Sequence, residues 1–146
     1  MQPAEPLMSY TDLITLYFER TTALQDYWTL YVVIVGGLLA FSSLRKQPAA
    51  GTTLIVSVLF ALFAYENLGA ILDTAEQRFA TLEAIKKSQP ESPGVKDLLE
   101  PTLRPASYGS TKMTHILSDL LTIAALWAME WRRRKNATGP GVPTTT

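Results

Sequence analysis

Apolar and polar positions along the chain are bunched, and three bunches have the length of a membrane span. Residues 27–44, YWTLYVVIVGGLLAFSSL, hold eighteen positions without a charge. Residues 53–72, TLIVSVLFALFAYENLGAIL, carry a single charge, Glu66, and residues 113–131, MTHILSDLLTIAALWAMEW, carry His115, Asp119 and Glu130. A hydrocarbon layer of about 30 Å is crossed by roughly 20 mostly apolar helical residues. All three segments are therefore expected to span a bilayer.

Outside these segments the pattern stays helical. Leu13, Tyr17, Arg20, Leu24, Tyr27 and Tyr31 recur at alternating spacings of four and three, and residues 9–35 hold no Gly or Pro. Ser9 lies three positions before Asp12, a variant of the capping box, so one long helix over 9–45 is expected. Leu68, Leu72, Ala75, Phe79 and Leu82 repeat the same spacing beyond the second segment, giving a helix over 53–88 that ends before Pro90 and Pro93. Two such stripes on antiparallel helices predict a hairpin with coiled-coil packing, with Arg20 facing Asp73, Glu76 and Glu83. Residues 89–112, with Pro90, Pro93, Pro101, Pro105, Gly94 and Gly109, read as a loop with one helical turn over 95–100. Residues 1–8 read as a tail, 46–52 as a short loop, and 132–146 as a basic run followed by the low-complexity, disordered sequence NATGPGVPTTT.

Charge orients these elements. Ahead of the first span stand Glu5, Asp12, Glu19 and Asp26 against Arg20, whereas Arg45 and Lys46 follow it and Arg132, Arg133, Arg134 and Lys135 follow the third. Basic residues near membrane ends stay on the cytoplasmic side, so the N-terminus is expected outside and the C-terminus inside. The bases of the outer loop are diluted by acids over a longer stretch. An acidic flank of 26 residues is unlike a cleavable signal peptide. Tyr27, Trp28 and Tyr31 at one end, with Trp127 and Trp131 at the other, suit the two headgroup regions. The expected fold is an all-α integral membrane protein of three transmembrane helices, the first and second extended into an extracytoplasmic antiparallel helical hairpin. The expected location is a bacterial inner membrane.

Composition narrows the function. Of the 146 residues, 47% are hydrophobic and 18% charged, with 13 basic residues balancing 13 acidic ones, which disfavours disorder and general nucleic-acid binding. No cysteine is present, which excludes disulfides, thiolate nucleophiles and haem attachment through CxxCH. No phosphate-cradling glycine loop, Gly-x-Ser-x-Gly elbow or HExxH motif occurs, so no enzyme is expected.

Antiparallel second and third spans would bring Glu66, Asn67, His115 and Asp119 to one outer-leaflet layer, with His115 and Asp119 on one helix face. Such a layer has a structural reading, polar side chains locking helices together. It also has two functional readings: proton or ion handling, or a divalent metal held by Glu66, His115 and Asp119. No other cofactor is expected, and Glu130 reads as an interfacial residue.

Each span also holds a small-xxx-small pair, Gly36–Ala40, Ser57–Ala61 and Ala124–Ala128, with Gly37 beside the first, and these permit close helix packing. The favoured function is an accessory or scaffold protein in the lipid bilayer that binds a larger membrane complex or forms a homo-oligomer. The alternative is an oligomeric pore or ion-handling protein. Three spans, an outer N-terminus and a basic C-terminal tail resemble the architecture of phage holins, without a shared motif and with a longer outer loop.

Overall fold

Residues 8–90 and 94–138 are described in the computed structural model. Helix α1 covers Tyr10–Leu44, α2 Ala50–Lys87, α3 Val95–Leu99 and α4 Tyr108–Ala137, with a 3-10 turn at Glu100–Thr102. The all-α expectation holds: no strand occurs among the described residues. Among them two helices, α1 and α2, are long and apolar enough to cross a membrane. Helix α4 falls outside that pair, since His115, Asp119 and Glu130 dilute its apolar content.

The helix ends follow local chemistry. Ser9 and Asp12 form a reciprocal capping box, the Ser9 N–H donating to Asp12 Oδ2 at 3.2 Å and the Asp12 N–H to Ser9 Oγ at 3.1 Å. Helix α4 starts ahead of the apolar segment because Ser107 Oγ accepts the Ser110 N–H at 3.2 Å, a side-chain cap that outweighs Gly109. At its other end α4 runs through Asn136 and Ala137, and Thr138 N–H bonds back to Arg134 O, so the low-complexity sequence begins helical. Residues 139–146 of the expected disordered tail, residues 1–7 of the N-terminal tail and Pro93 lie outside the described residues.

A single stripe organises α2. Thr53, Ser57, Phe60, Ala64, Asn67, Ile71, Thr74, Arg78, Thr81 and Ile85 alternate spacings of four and three without a break, and every one is buried. A 3.5-residue period of this kind characterises coiled-coil packing. The expected period is right and its phase is one residue off beyond the second apolar segment. The buried stripe passes through 67, 71, 74, 78, 81 and 85, with Ala75 and Leu82 on its edge, while Leu68, Leu72 and Phe79 are half-buried.

The chain divides into two compact units. In the first, formed by residues up to Thr29 and Gly69–Lys112, the core joins Tyr10, Leu13 and Tyr17 of α1 to Leu82 and Ile85 of α2, closed by Leu103 from the segment after α3. Lys96 Nζ donates to the carbonyls of Lys86 and Ser88, capping the end of α2. Gly94 enters α3 at φ 92°, a conformation that only glycine adopts without strain. Arg20 forms no ion pair with Asp73, Glu76 or Glu83 among the described residues. The cation inside this unit is the buried Arg78, whose guanidinium lies 5.8 Å from the Tyr17 ring centroid.

The second unit, Leu30–Leu68 with the residues from Met113 onward, is polar inside and apolar outside. On α4 His115 and Glu130 are 0% and 1% exposed, whereas Met113, Leu120 and Leu121 are 67%, 61% and 62% exposed. Val32 and Val33 of α1 and Ile55 and Leu59 of α2 are likewise exposed. In water a contiguous apolar exterior of this kind is an aggregation hazard; in lipid it is the ordinary outer surface.

Candidate functional site

The second unit contains two polar constellations. The first is a hydrogen-bonded chain across α1, α2 and α4. Tyr31 Oη donates to Asp119 Oδ1 at 2.8 Å. Asp119 Oδ2 accepts from His115 Nδ1 at 2.9 Å, and His115 Nε2 lies 3.1 Å from Asn67 Oδ1. Their burial is 3% exposed for Tyr31, 5% for Asn67 and 0% for His115, so desolvation makes every lost partner costly. The Tyr31 ring stands 4.4 Å from the His115 ring, centroid to centroid, and 6.4 Å from Phe60, which closes the chain on the apolar side.

Two proton arrangements satisfy this chain. An imidazolium donates at both ring nitrogens, to Asp119 and to Asn67 Oδ1. Alternatively a neutral ring protonated at Nδ1 donates to Asp119 while the Asn67 amide, turned over, donates to Nε2. Both place a proton on Nδ1. The chain can therefore hold three helices together, or shift its protons along a fixed path.

Of the four residues expected in this layer, the fold joins Asn67, His115 and Asp119. Glu66 stands apart. Consecutive helical positions point about 100° from one another, Asn67 occupies the buried stripe, and Glu66 is exposed beside it. The three expected metal ligands are thus not assembled as a set, and among the described residues no group of three His, Cys, Asp or Glu side chains converges. The member missed by sequence reasoning is Tyr31. Its aromatic ring at the end of an apolar segment reads as interfacial, while its place in the α1 stripe is the signal that it faces inward.

The second constellation gathers at the opposite end of the same helices, around Glu130. Its carboxylate accepts from Arg133 Nη2 at 3.2 Å, Arg134 Nε at 3.3 Å and Thr53 Oγ1 at 3.2 Å, with Arg45 Nη2 at 3.7 Å. Arg133 also donates to Ser42 O at 2.7 Å, which caps the end of α1, and Arg45 donates to Ala49 O at 3.1 Å. A buried carboxylate is tolerated only when paired and hydrogen-bonded in this way. The expected interfacial Glu130 is instead the hub on which Arg45, Arg133 and Arg134 converge. Its signals were the step of four from Leu126 and the arginines three and four positions on. Beside them Lys135 Nζ lies 3.9 Å from the Trp131 ring centroid, and Lys46 and Arg132 are exposed.

From His115 to Glu130 is fifteen positions, about 22 Å at 1.5 Å per residue, and from Asn67 to Thr53 fourteen, about 21 Å. Two polar layers thus bracket a stretch lined by Phe60, Ala64 and Leu126 with the hydroxyls of Ser57 and Thr122, a little shorter than a hydrocarbon core.

The small-residue pairs are mostly unmet within the chain. Gly36, Gly37, Ala40, Ala61, Ala124 and Ala128 are exposed, and a Cβ added at Gly36 or Gly37 would meet nothing within 4 Å. Only Ser57 is buried, its hydroxyl donating to Thr53 O at 2.8 Å.

No family model, curated protein or solved structure matches this chain.

Proposed function

We propose that this protein is a three-span scaffold of a bacterial inner membrane, with its N-terminus outside and its C-terminus in the cytoplasm. In this reading α4 is the third span, and the first unit projects outward as a helical hairpin. Its α4 turns polar residues inward and Leu120 and Leu121 outward, the arrangement of a lipid-facing helix rather than a water-facing one. Arg45, Lys46 and the Arg132–Arg133–Arg134–Lys135 run at one helix end supply the positive-inside signal.

The observation that carries scaffolding over catalysis or conduction is the open glycine face. Two consecutive glycines weaken a helix by about 1 kcal/mol each relative to alanine, and close packing is what recovers that loss. Among the described residues a Cβ at Gly36 or Gly37 would meet nothing within 4 Å, so in this reading the helix that repays them belongs to a second copy or to another membrane protein. No divalent metal is needed in this reading; the polar layer acts as glue. The second reading, proton or ion handling, is favoured by the continuous chain Tyr31–Asp119–His115–Asn67.

One pair of measurements separates them. Protein extracted from native membranes in polymer discs is weighed, with and without Gly37→Leu, and the purified protein is reconstituted in vesicles carrying a pH-sensitive dye. Scaffolding predicts a defined mass above the monomer, lost in Gly37→Leu, and no proton flux. A flux abolished by Asp119→Asn overturns it in favour of ion handling.

A further inference from the structure

The Glu130 constellation has donors left over. At the ends of α1 and α4, a cavity of about 210 Å³ is lined by Ser43, Arg45, Met129, Arg132, Arg133 and Asn136. Three arginines line it, Arg45, Arg132 and Arg133, and no acid does; Arg45 and Arg133 are paired with the buried Glu130. Arg133 Nε is buried and has no hydrogen-bond partner among the described residues, although the same guanidinium lines the cavity. Arg132 makes no hydrogen bond or ion pair among them either. Arg132, exposed and lining the cavity, is the guanidinium there that is left to meet an anion.

We propose that this cavity binds the phosphate of an anionic phospholipid headgroup in the cytoplasmic leaflet. A phosphodiester offers two oxygens that the planar guanidinium of Arg132 can grip, a geometry that suits Arg better than Lys, while Arg133, held by Ser42 and Glu130, adds its charge. Basic pockets between helices on the cytoplasmic side are suited to such headgroups. The surroundings select a lipid over free phosphate. Phe41 and Leu44, 47% and 80% exposed, flank the lining residue Ser43 along α1 and offer acyl chains an apolar surface, and Met129 forms part of the wall. The inference rests on α4 spanning the bilayer and is independent of scaffolding.

The test is native mass spectrometry of the purified protein with phosphatidylglycerol or phosphatidylcholine added, in 50 and 300 mM salt. Phosphatidylglycerol is expected to be retained over phosphatidylcholine, less so at high salt. Arg132→Gln, which breaks no hydrogen bond or ion pair among the described residues, should lower that preference about fivefold, the worth of one basic residue near a charged surface. Arg133→Gln should lower it at least as far, and Lys86→Gln, on the other unit, should leave it unchanged. Equal retention of the two lipids, or a preference untouched by Arg132→Gln, overturns the proposal. So does displacement of phosphatidylglycerol by millimolar inorganic phosphate, which would assign the cavity to the free anion. Quenching of Trp127 and Trp131 by brominated phosphatidylcholine, in a Trp28→Phe background, reports separately on α4. Quenching with no lipid preference fails the site alone; no quenching fails the membrane placement and the site together.

Discussion

Tyr31→Phe removes the hydroxyl that donates to Asp119 and keeps the ring. The ring keeps its contacts with His115 and Phe60, while Asp119 Oδ1 loses a donor at 2.8 Å. Hydrogen bonds between membrane helices average about 0.6 kcal/mol and reach about 1.7. A carboxylate acceptor and a donor only 3% exposed place this one toward the upper end, at about 1.5 kcal/mol. Asp119→Asn disturbs the same bond and the His115 bond as well, so it should cost more, about 2–3 kcal/mol. Since the two variants share one interaction, the double variant should cost about 1 kcal/mol less than their sum. Glu66→Leu is the control: the side chain is exposed, one step off the stripe, and should change stability by less than about 0.5 kcal/mol. The assay is reversible unfolding by SDS titration in mixed micelles, followed by circular dichroism. A coupling within about 0.3 kcal/mol of zero would refute the linkage of Tyr31 to Asp119, and a larger loss for Glu66→Leu than for Tyr31→Phe would refute the placement of the layer.

Other consequences are equally open to measurement. His115 is the single histidine, so its ¹⁵N spectrum is unambiguous; Nδ1 should be protonated in the native protein, and an unprotonated Nδ1 would sink both proton arrangements. Ile85, 0% exposed in the first unit's core, should cost about 2–5 kcal/mol as Ile85→Ala, while Leu98→Ala, 77% exposed, should cost almost nothing by thermal melting. Glu83 is held below its ordinary value by the hydrogen bond and charge of Lys86, whose Nζ lies 2.8 Å away. Its folded pKa is depressed, so the pair's support is present above the unfolded value and fades as pH falls through the folded one. Glu83→Gln should therefore alter the melting profile only from mildly acid pH upward, by the small amount an exposed pair supplies. Glu130→Gln should destabilise the second unit more than Arg134→Gln, since it leaves Arg45 and Arg133 converging on a neutral amide; equal losses would show that Glu130 is not the hub.

The period of the helices was legible in the sequence, and the phase was not always so. On α1 the stripe through Leu13, Tyr17 and Tyr31 is the buried one, because the surrounding positions outside the apolar segment are polar enough to mark the other face. On α2 the apolar residues Leu68, Leu72 and Phe79 drew the expected stripe one position away from the buried Asn67, Ile71 and Arg78. Where the exterior is apolar, hydrophobicity no longer distinguishes inside from outside. The polar residues do: Thr53, Ser57, Asn67, Thr122 and Glu130 all face inward. The same inversion separates Glu66, exposed one step off the stripe, from Glu130, which the sequence reads as interfacial and the fold buries. Charge alone does not say which side of a lipid-facing helix a carboxylate occupies; its step along the stripe does. Arg20 and Arg78 repeat the lesson in the first unit, where the buried cation is the one on the stripe.

Both polar layers draw partners from distant parts of the chain. Tyr31 and Asp119 are separated by 88 positions, Thr53 and Glu130 by 77, and Ser42 and Arg133 by 91. In every case the later partner sits on α4, which follows α1 and α2 in the chain. Through His115, Asp119 and Glu130 this one helix closes both layers. A chain ending before residue 108 would keep α1 and α2 but lose Asp119, His115 and Glu130 together, so the two layers stand or fall as one.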